Sequence, residues 1–226
     1  ISLKEYFPRM ELSPYLRGFK KLFPRSRRKS FKQREICNRR MAEMISSIYK
    51  NKNIFNEIKR EFKKNKIIKF ESFFEKDFYN KLKHECSSLK FTKRKIPDKY
   101  SFSDSPSTNA ISSLINDSLK DFLEKITDKK ISSISIKKFA HKDYTLLHDS
   151  SSKDNETKAL VFICEKWSPD IGGNFVFKKS EKVFYITPME NSLAIVEKQK
   201  DWQEFVQYLN HLSNKKEVSV IEIVLF

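Results

Sequence analysis

Hydrophobic residues recur with a helical period up to about residue 127 and with a strand period from residue 131 onward. Cys37, Met41, Met44, Ile45 and Ile48 fall at spacings of three and four, which predicts a helix starting near Lys32. Ile54, Phe55, Ile58 and Phe62 predict a second helix over Asn53–Lys64, each with its Lys and Arg residues facing water. KIIKFESFF (66–74) predicts a strand. EKDFYNKLKHECSSL (75–89) and TNAISSLINDSLKDFLEKIT (108–127) predict amphipathic helices. Beyond Ile131 the segments ISSISIKKFA, YTLLH, KALVFICE, NFVFKK, KVFYIT, SLAIVEK and EVSVIEIVLF predict strands. Helices followed by a block of strands predict an α+β fold, with helices supporting a sheet sandwich or jelly roll.

Ahead of these elements, Pro8, Pro14 and Pro24 stand among basic and aromatic residues, and the first 32 residues read as an extended arm. Charge separates this end from the rest. The chain of 226 residues carries a net +17; residues 1–70 hold +15 of it and residues 71–226 only +2. We therefore expect two parts, residues 1–65 as a basic N-terminal extension of arm and helices and residues 66–226 as the main domain.

Arg25, Arg27, Arg28, Lys29, Lys32, Arg34, Arg39 and Arg40 cluster within 16 residues, with Phe23 and Phe31 interleaved. Such a cluster neutralises phosphates and releases counterions, and nearby aromatic rings stack on unpaired bases. RNA or a ribonucleoprotein assembly such as a ribosome is the expected partner. An acidic protein or an anionic membrane surface would satisfy the same charge. Glu5, Glu11 and Glu35 are unusual for a mitochondrial targeting segment.

Cys37, Cys86 and Cys164 are odd in number and far apart, fitting neither a disulfide framework nor a metal clip. They point to a reducing compartment, and the expected location is the cytoplasm, with a mitochondrion or other organelle as the alternative. No apolar stretch approaches the roughly 18 residues of a membrane span. His84, His141 and His211 lack partners at metal-ligand spacing, and neither a phosphate-binding glycine loop nor a Ser-His-Asp order stands out.

Several segments in order carry a family resemblance: DKYSFSDS (98–105), FLEKIT (122–127), KKFAHKDYTLLHDS (137–150), ALVFICEKWSPDIGGNF (159–175) and TPMENSLAIVE (187–197). Together they make residues 66–226 resemble the prolyl-hydroxylase branch of the 2-oxoglutarate/Fe(II) oxygenases, especially the ribosomal-protein prolyl hydroxylases. The resemblance implies a double-stranded β-helix, or jelly roll. It also implies an iron site made by two histidines and a carboxylate, and an arginine that pairs the distal carboxylate of 2-oxoglutarate.

Carried over position by position, the likeness gives a degenerate site. His148 falls on the first histidine, but Ser150 stands at the carboxylate. Asp149 is adjacent, and successive strand side chains point to opposite faces. EFVQYL (204–209) matches His-x-Val-x-x-Val with Glu204 at the second histidine. EVS (217–219) matches Arg-x-Ser, keeping Ser219 but placing Glu217 at the arginine, where an anion would repel the cosubstrate. A pocket tyrosine falls on Phe139. Shifting the last match by one would put Lys216 at the cation and invert the strand's inward face. The expectation is a catalytically inactive oxygenase-like domain without cofactor, serving as a structural or binding subunit. A residual metal site would rest on His148 and Glu204 alone. The alternative is an active prolyl hydroxylase using Fe(II) and 2-oxoglutarate on a protein substrate.

Overall fold

The computed structural model describes residues 44–146, 156–199 and 201–226. Its architecture follows from two sheets with a row of helices on the outer face of the larger one. The helices come first. After a short turn of helix, α1 (Ser47–Lys50), α2 covers Lys52–Asn65. Asn51 starts α2 by accepting the backbone N–H of Asn53 at 2.9 Å, and Lys66 ends it in the left-handed conformation (φ 61°). Helix α3 (Lys76–Ser87) buries Phe78, Tyr79, Leu82 and Cys86. The predicted helix over 108–127 is two: α4 (Asn109–Ser118), capped by Thr108, and α5 (Lys120–Thr127), with Leu119 at the junction.

Eleven strands form among the described residues: β1 (Ile67–Phe70), β2 (Thr92–Ile96), β3 (Tyr100–Pro106), β4 (Ile131–Phe139), β5 (Tyr144–Thr145), β6 (Thr157–Cys164), β7 (Phe175–Lys179), β8 (Lys182–Ile186), β9 (Ser192–Glu197), β10 (Gln203–Val206) and β11 (Val218–Leu225). The larger sheet runs β1-β9-β6-β11-β4-β3-β2, with β5 paired to β3; the smaller runs β10-β7-β8. Every pair is antiparallel. The backbone N–H of Val206 donates to Thr145 Oγ1 at 2.8 Å, joining β10 to β5. The expected jelly roll with supporting helices is therefore the fold observed.

Strand alternation sorts the core into two clusters. Ala159, Val161 and Ile163 of β6, with Ile221, Ile223 and Leu225 of β11, meet the helices through Phe62, Leu82, Ile115 and Leu123. Leu160, Phe162 and Cys164, with Val218 and Val220, face inward between the sheets, where Phe175 and Phe177 of β7, Trp202 and Val206 close the barrel. Both faces of the central strands are buried, so they read as apolar runs.

Three expectations change. Met44–Ser46 does not continue a helix: Ile45 forms a bridge with Phe74, and helix begins only at Ser47. The part of that predicted helix before Met44 lies outside the described residues. The division placed at residue 65 does not coincide with a break in packing, because Ile45, Ile58 and Phe62 share the core of α3–α5. Residues 44–65 belong to the same compact unit as the sheets. Finally, β2 and β3 form a hairpin that the hydrophobic pattern misses. All five residues of β2, TKRKI, are exposed, so no alternation marks it.

Candidate functional site

The barrel interior holds charged side chains as well as the expected apolar ones. On β11, Glu222 is in phase with Val218 and Val220, so it points inward, opposite Leu160 of β6. On β6, Lys158 is in phase with Leu160 and Phe162. On β4, Lys137 is in phase with Phe139. Glu204 reaches in from β10, two residues before buried Val206. Glu156 immediately precedes β6 and Lys198 immediately follows β9, held together by the Lys198 N–H donating to the Glu156 carbonyl at 2.8 Å.

These side chains neutralise one another. Lys158 Nζ lies 2.5 Å from Glu204 Oε1, 3.4 Å from Glu156 Oε1 and 3.7 Å from Glu222 Oε1. Lys137 Nζ donates to Glu222 Oε2 at 2.7 Å, and Lys198 Nζ lies 3.6 Å from Glu204 Oε2. Lys158, Glu222, Lys198 and Glu156 are all buried. Burial by itself would push the Lys158 pKa down, but Glu222, Glu204 and Glu156 outweigh it and hold the ammonium charged well above the ordinary lysine range. Burial would raise the Glu222 carboxyl; Lys137 and Lys158 reverse that and hold it down at about 2. For Lys198 burial wins, and its pKa falls below the ordinary value.

The positions singled out by sequence fall as follows. His148, Asp149 and Ser150 lie outside the described residues, as do Arg25, Arg27, Arg28, Lys29, Lys32, Arg34, Arg39 and Arg40. Glu204 does point into the barrel, with each carboxylate oxygen facing a lysine ammonium. Phe139 is buried inside, against Phe102 and Phe175. Glu217 does not face the interior. It is half exposed and pairs with Lys138 at 3.1 Å. Odd-numbered residues of β11 pack toward the helices and even-numbered ones inward, so the Arg-x-Ser match put the strand one residue out of register with the barrel. The inward positions there are Val218, Val220 and Glu222, and none is a cation. Lys216 at the strand's entrance donates to the Lys166 carbonyl at 2.9 Å instead.

Sequence reasoning missed Lys137, Lys158, Lys198, Glu156 and Glu222. One signal was available: Glu222 interrupts VSVIEIVL, an otherwise apolar strand, and a buried charge requires a partner. The Trp and Gly-Gly motif has a structural role. Trp167 Nε1 donates to the Gly172 carbonyl at 3.0 Å, and a Cβ on Gly172 (φ 82°) would lie 2.1 Å from the Tyr208 carbonyl oxygen. Asp143 similarly anchors the turn before β5, accepting from Lys93, from Ser101 Oγ at 2.6 Å and from the Ala140 N–H at 3.0 Å. Among the described residues, no group of three or more His, Cys, Asp or Glu side chains is disposed to hold a metal.

Comparison with known proteins agrees with this architecture. The chain is 32% identical over 74 residues to the prolyl 3-hydroxylase OGFOD1 of Mus musculus, covering 31% of this chain and 14% of that protein. It is 30% identical over 98 residues to the Xenopus laevis protein of the same name, covering 40% of this chain and 19% of the other. The match thus spans less than a fifth of either relative. No protein-family model matches. Among solved structures, a 2OG-Fe(II) oxygenase-family oxidoreductase from Burkholderia pseudomallei superposes with a TM-score of 0.60 at 10% identity, covering 77% of this chain and 92% of that one. A Trichoplax adhaerens prolyl hydroxylase, solved with a hypoxia-inducible-factor peptide, gives 0.59 at 12% identity, covering 82% and 94%. The chain therefore has the fold of the 2-oxoglutarate/Fe(II) oxygenases, with local sequence similarity to prolyl 3-hydroxylases.

Proposed function

We propose that the protein is a catalytically inactive oxygenase-like domain that serves as a structural or binding subunit, with its basic N-terminal segment docking on RNA or a ribonucleoprotein in a reducing compartment. One observation carries the inactive reading: the carboxylate at the second-histidine position, Glu204, is held between two buried ammonium groups. The described residues do not fit Fe(II) and 2-oxoglutarate. Iron would have to displace Lys158 and Lys198 from Glu204, and like charges repel strongly in a low-dielectric interior. A dicarboxylate would need a spare cation on β11, where Val218, Val220 and Glu222 face inward. Lys137 and Lys158 are engaged by carboxylates, and Lys216, in phase with Val218, donates to the Lys166 carbonyl.

Support for the RNA reading is the charge asymmetry, +15 in residues 1–70 against +2 in the remainder. The similarity to prolyl 3-hydroxylases favours the second reading, an active hydroxylase using Fe(II) and 2-oxoglutarate. Incubation with Fe(II), ascorbate and 2-oxoglutarate under air separates the two. The inactive reading expects succinate at the rate of a protein-free blank, with or without proline-containing peptides. Stoichiometric or faster succinate formation contradicts it.

A further inference from the structure

Three carboxylates from separate parts of the chain converge on one nitrogen. Glu156 precedes β6, Glu204 lies on β10 and Glu222 on β11, and all three approach Lys158 Nζ within 3.7 Å. Strands β6 and β11 are hydrogen-bonded neighbours in the larger sheet, whereas β10 belongs to the smaller one. The ammonium thus spans the barrel, tying one sheet to the other through its 2.5 Å contact with Glu204. It also anchors Glu156, where the chain enters β6.

The chemistry of the group matches its surroundings. A primary ammonium has three N–H donors and no acceptor, and it meets three carboxylates that only accept. Charge balances as well. Among the described residues, Lys137, Lys158 and Lys198 stand against Glu156, Glu204 and Glu222, three positive against three negative. Without Lys158 the cluster carries one net negative charge, which a monovalent cation cancels and a divalent ion overshoots. The remaining ammonium groups of Lys137 and Lys198, already on Glu222 and Glu204, oppose a divalent ion further.

We propose that Lys158 is a tethered counter-cation that holds the two sheets of the barrel together, and that its nest is a binding site for a small primary alkylammonium ion once the tether is removed. This rests on the reading of the barrel as free of cofactor, and makes the cation at its centre part of the chain.

The test is thermal unfolding of the full chain carrying Lys158→Ala, with ethylammonium, tetramethylammonium or Mn(II) chloride at matched ionic strength. Uncompensated buried carboxylates should lower Tm by about 10 °C. Ethylammonium should recover at least half of that loss, tetramethylammonium (same charge, no N–H donors) and Mn(II) should recover none, and the wild-type protein should respond to none of them. Should Lys158→Ala fail to fold, refolding in ethylammonium should restore it and refolding in tetramethylammonium should not. Lys158→Met, which fills the space without the charge, should lose stability and resist rescue. The proposal is overturned by a Lys158→Ala or Lys158→Met protein as stable as wild type, by equal effects of the two ammonium salts, or by rescue with Mn(II) alone. A Tm rise of the wild-type protein with Mn(II) plus 2-oxoglutarate would instead contradict the inactive reading, so the two failures are distinguishable.

Discussion

At the scale of single residues, the inward face of β11 carries the most information about what the barrel can hold. Glu222 is buried, and two lysines hold its carboxyl near a pKa of about 2 where an ordinary glutamate sits at 4.5. A carboxyl whose pKa is depressed on folding stabilises the native state above its unfolded pKa, and the contribution disappears as pH falls through the folded value. The shift corresponds to about 3 kcal/mol, present above pH 4.5 and lost toward pH 2. Urea unfolding across that window should show wild-type stability falling steeply, while Glu222→Gln should start about 3 kcal/mol lower and show a flatter acid limb. Equal acid limbs would mean that Glu222 is not a charged member of the cluster. Gly172 gives an independent check on the structural role of the Trp and Gly-Gly motif. Its positive φ and the 2.1 Å approach to the Tyr208 carbonyl predict that Gly172→Ala costs about 1–3 kcal/mol or more, read by the same denaturation.

Among the elements, the strands that sequence identified are those whose burial writes itself into composition. KALVFIC and VSVIEIVL are mainly apolar on both faces, Lys158 and Glu222 apart, because one face meets the helices and the other the barrel. That same property hid the register. When both faces are apolar, alternation does not say which one is inward, and the match of Ser219 in EVS was enough to point Glu217 the wrong way. The β2–β3 hairpin left no trace because β2 is an exposed edge strand rich in lysine and arginine, a composition that protects an edge from pairing with another chain. Helix α2 was legible from its period, but periodicity reports an apolar face and not what covers it. Phe62, on that face, is 2% exposed and shares a core with Leu82 and Leu123. Phe62→Ala should cost about 3–5 kcal/mol of global stability. A loss under about 1 kcal/mol would return α2 to a separate extension.

Across the whole molecule, two features coexist: a barrel whose internal charges cancel and an N-terminal segment whose charges do not. On the proposed reading, a cancelled interior has little to offer a metal or a dicarboxylate, and the net +15 of residues 1–70 is what would draw an external polyanion. Replacing Arg25, Arg27, Arg28 and Lys29 by alanine should weaken binding to single-stranded RNA and flatten its dependence on salt. The slope of log K against log salt should fall by up to about 3, at about 0.7 for each phosphate no longer neutralised. An unchanged slope would assign the arm to a protein partner or a membrane surface.

The central claim concerns the barrel, and isothermal calorimetry on the full chain tests it most directly. The protein would be titrated with Mn(II), a redox-stable substitute for iron, and then with 2-oxoglutarate. A barrel in which Lys158 holds Glu204 and Glu222 predicts no saturable heat from either addition. Saturable binding of metal and 2-oxoglutarate together would contradict the account and make Glu204 and His148 the residues to substitute next.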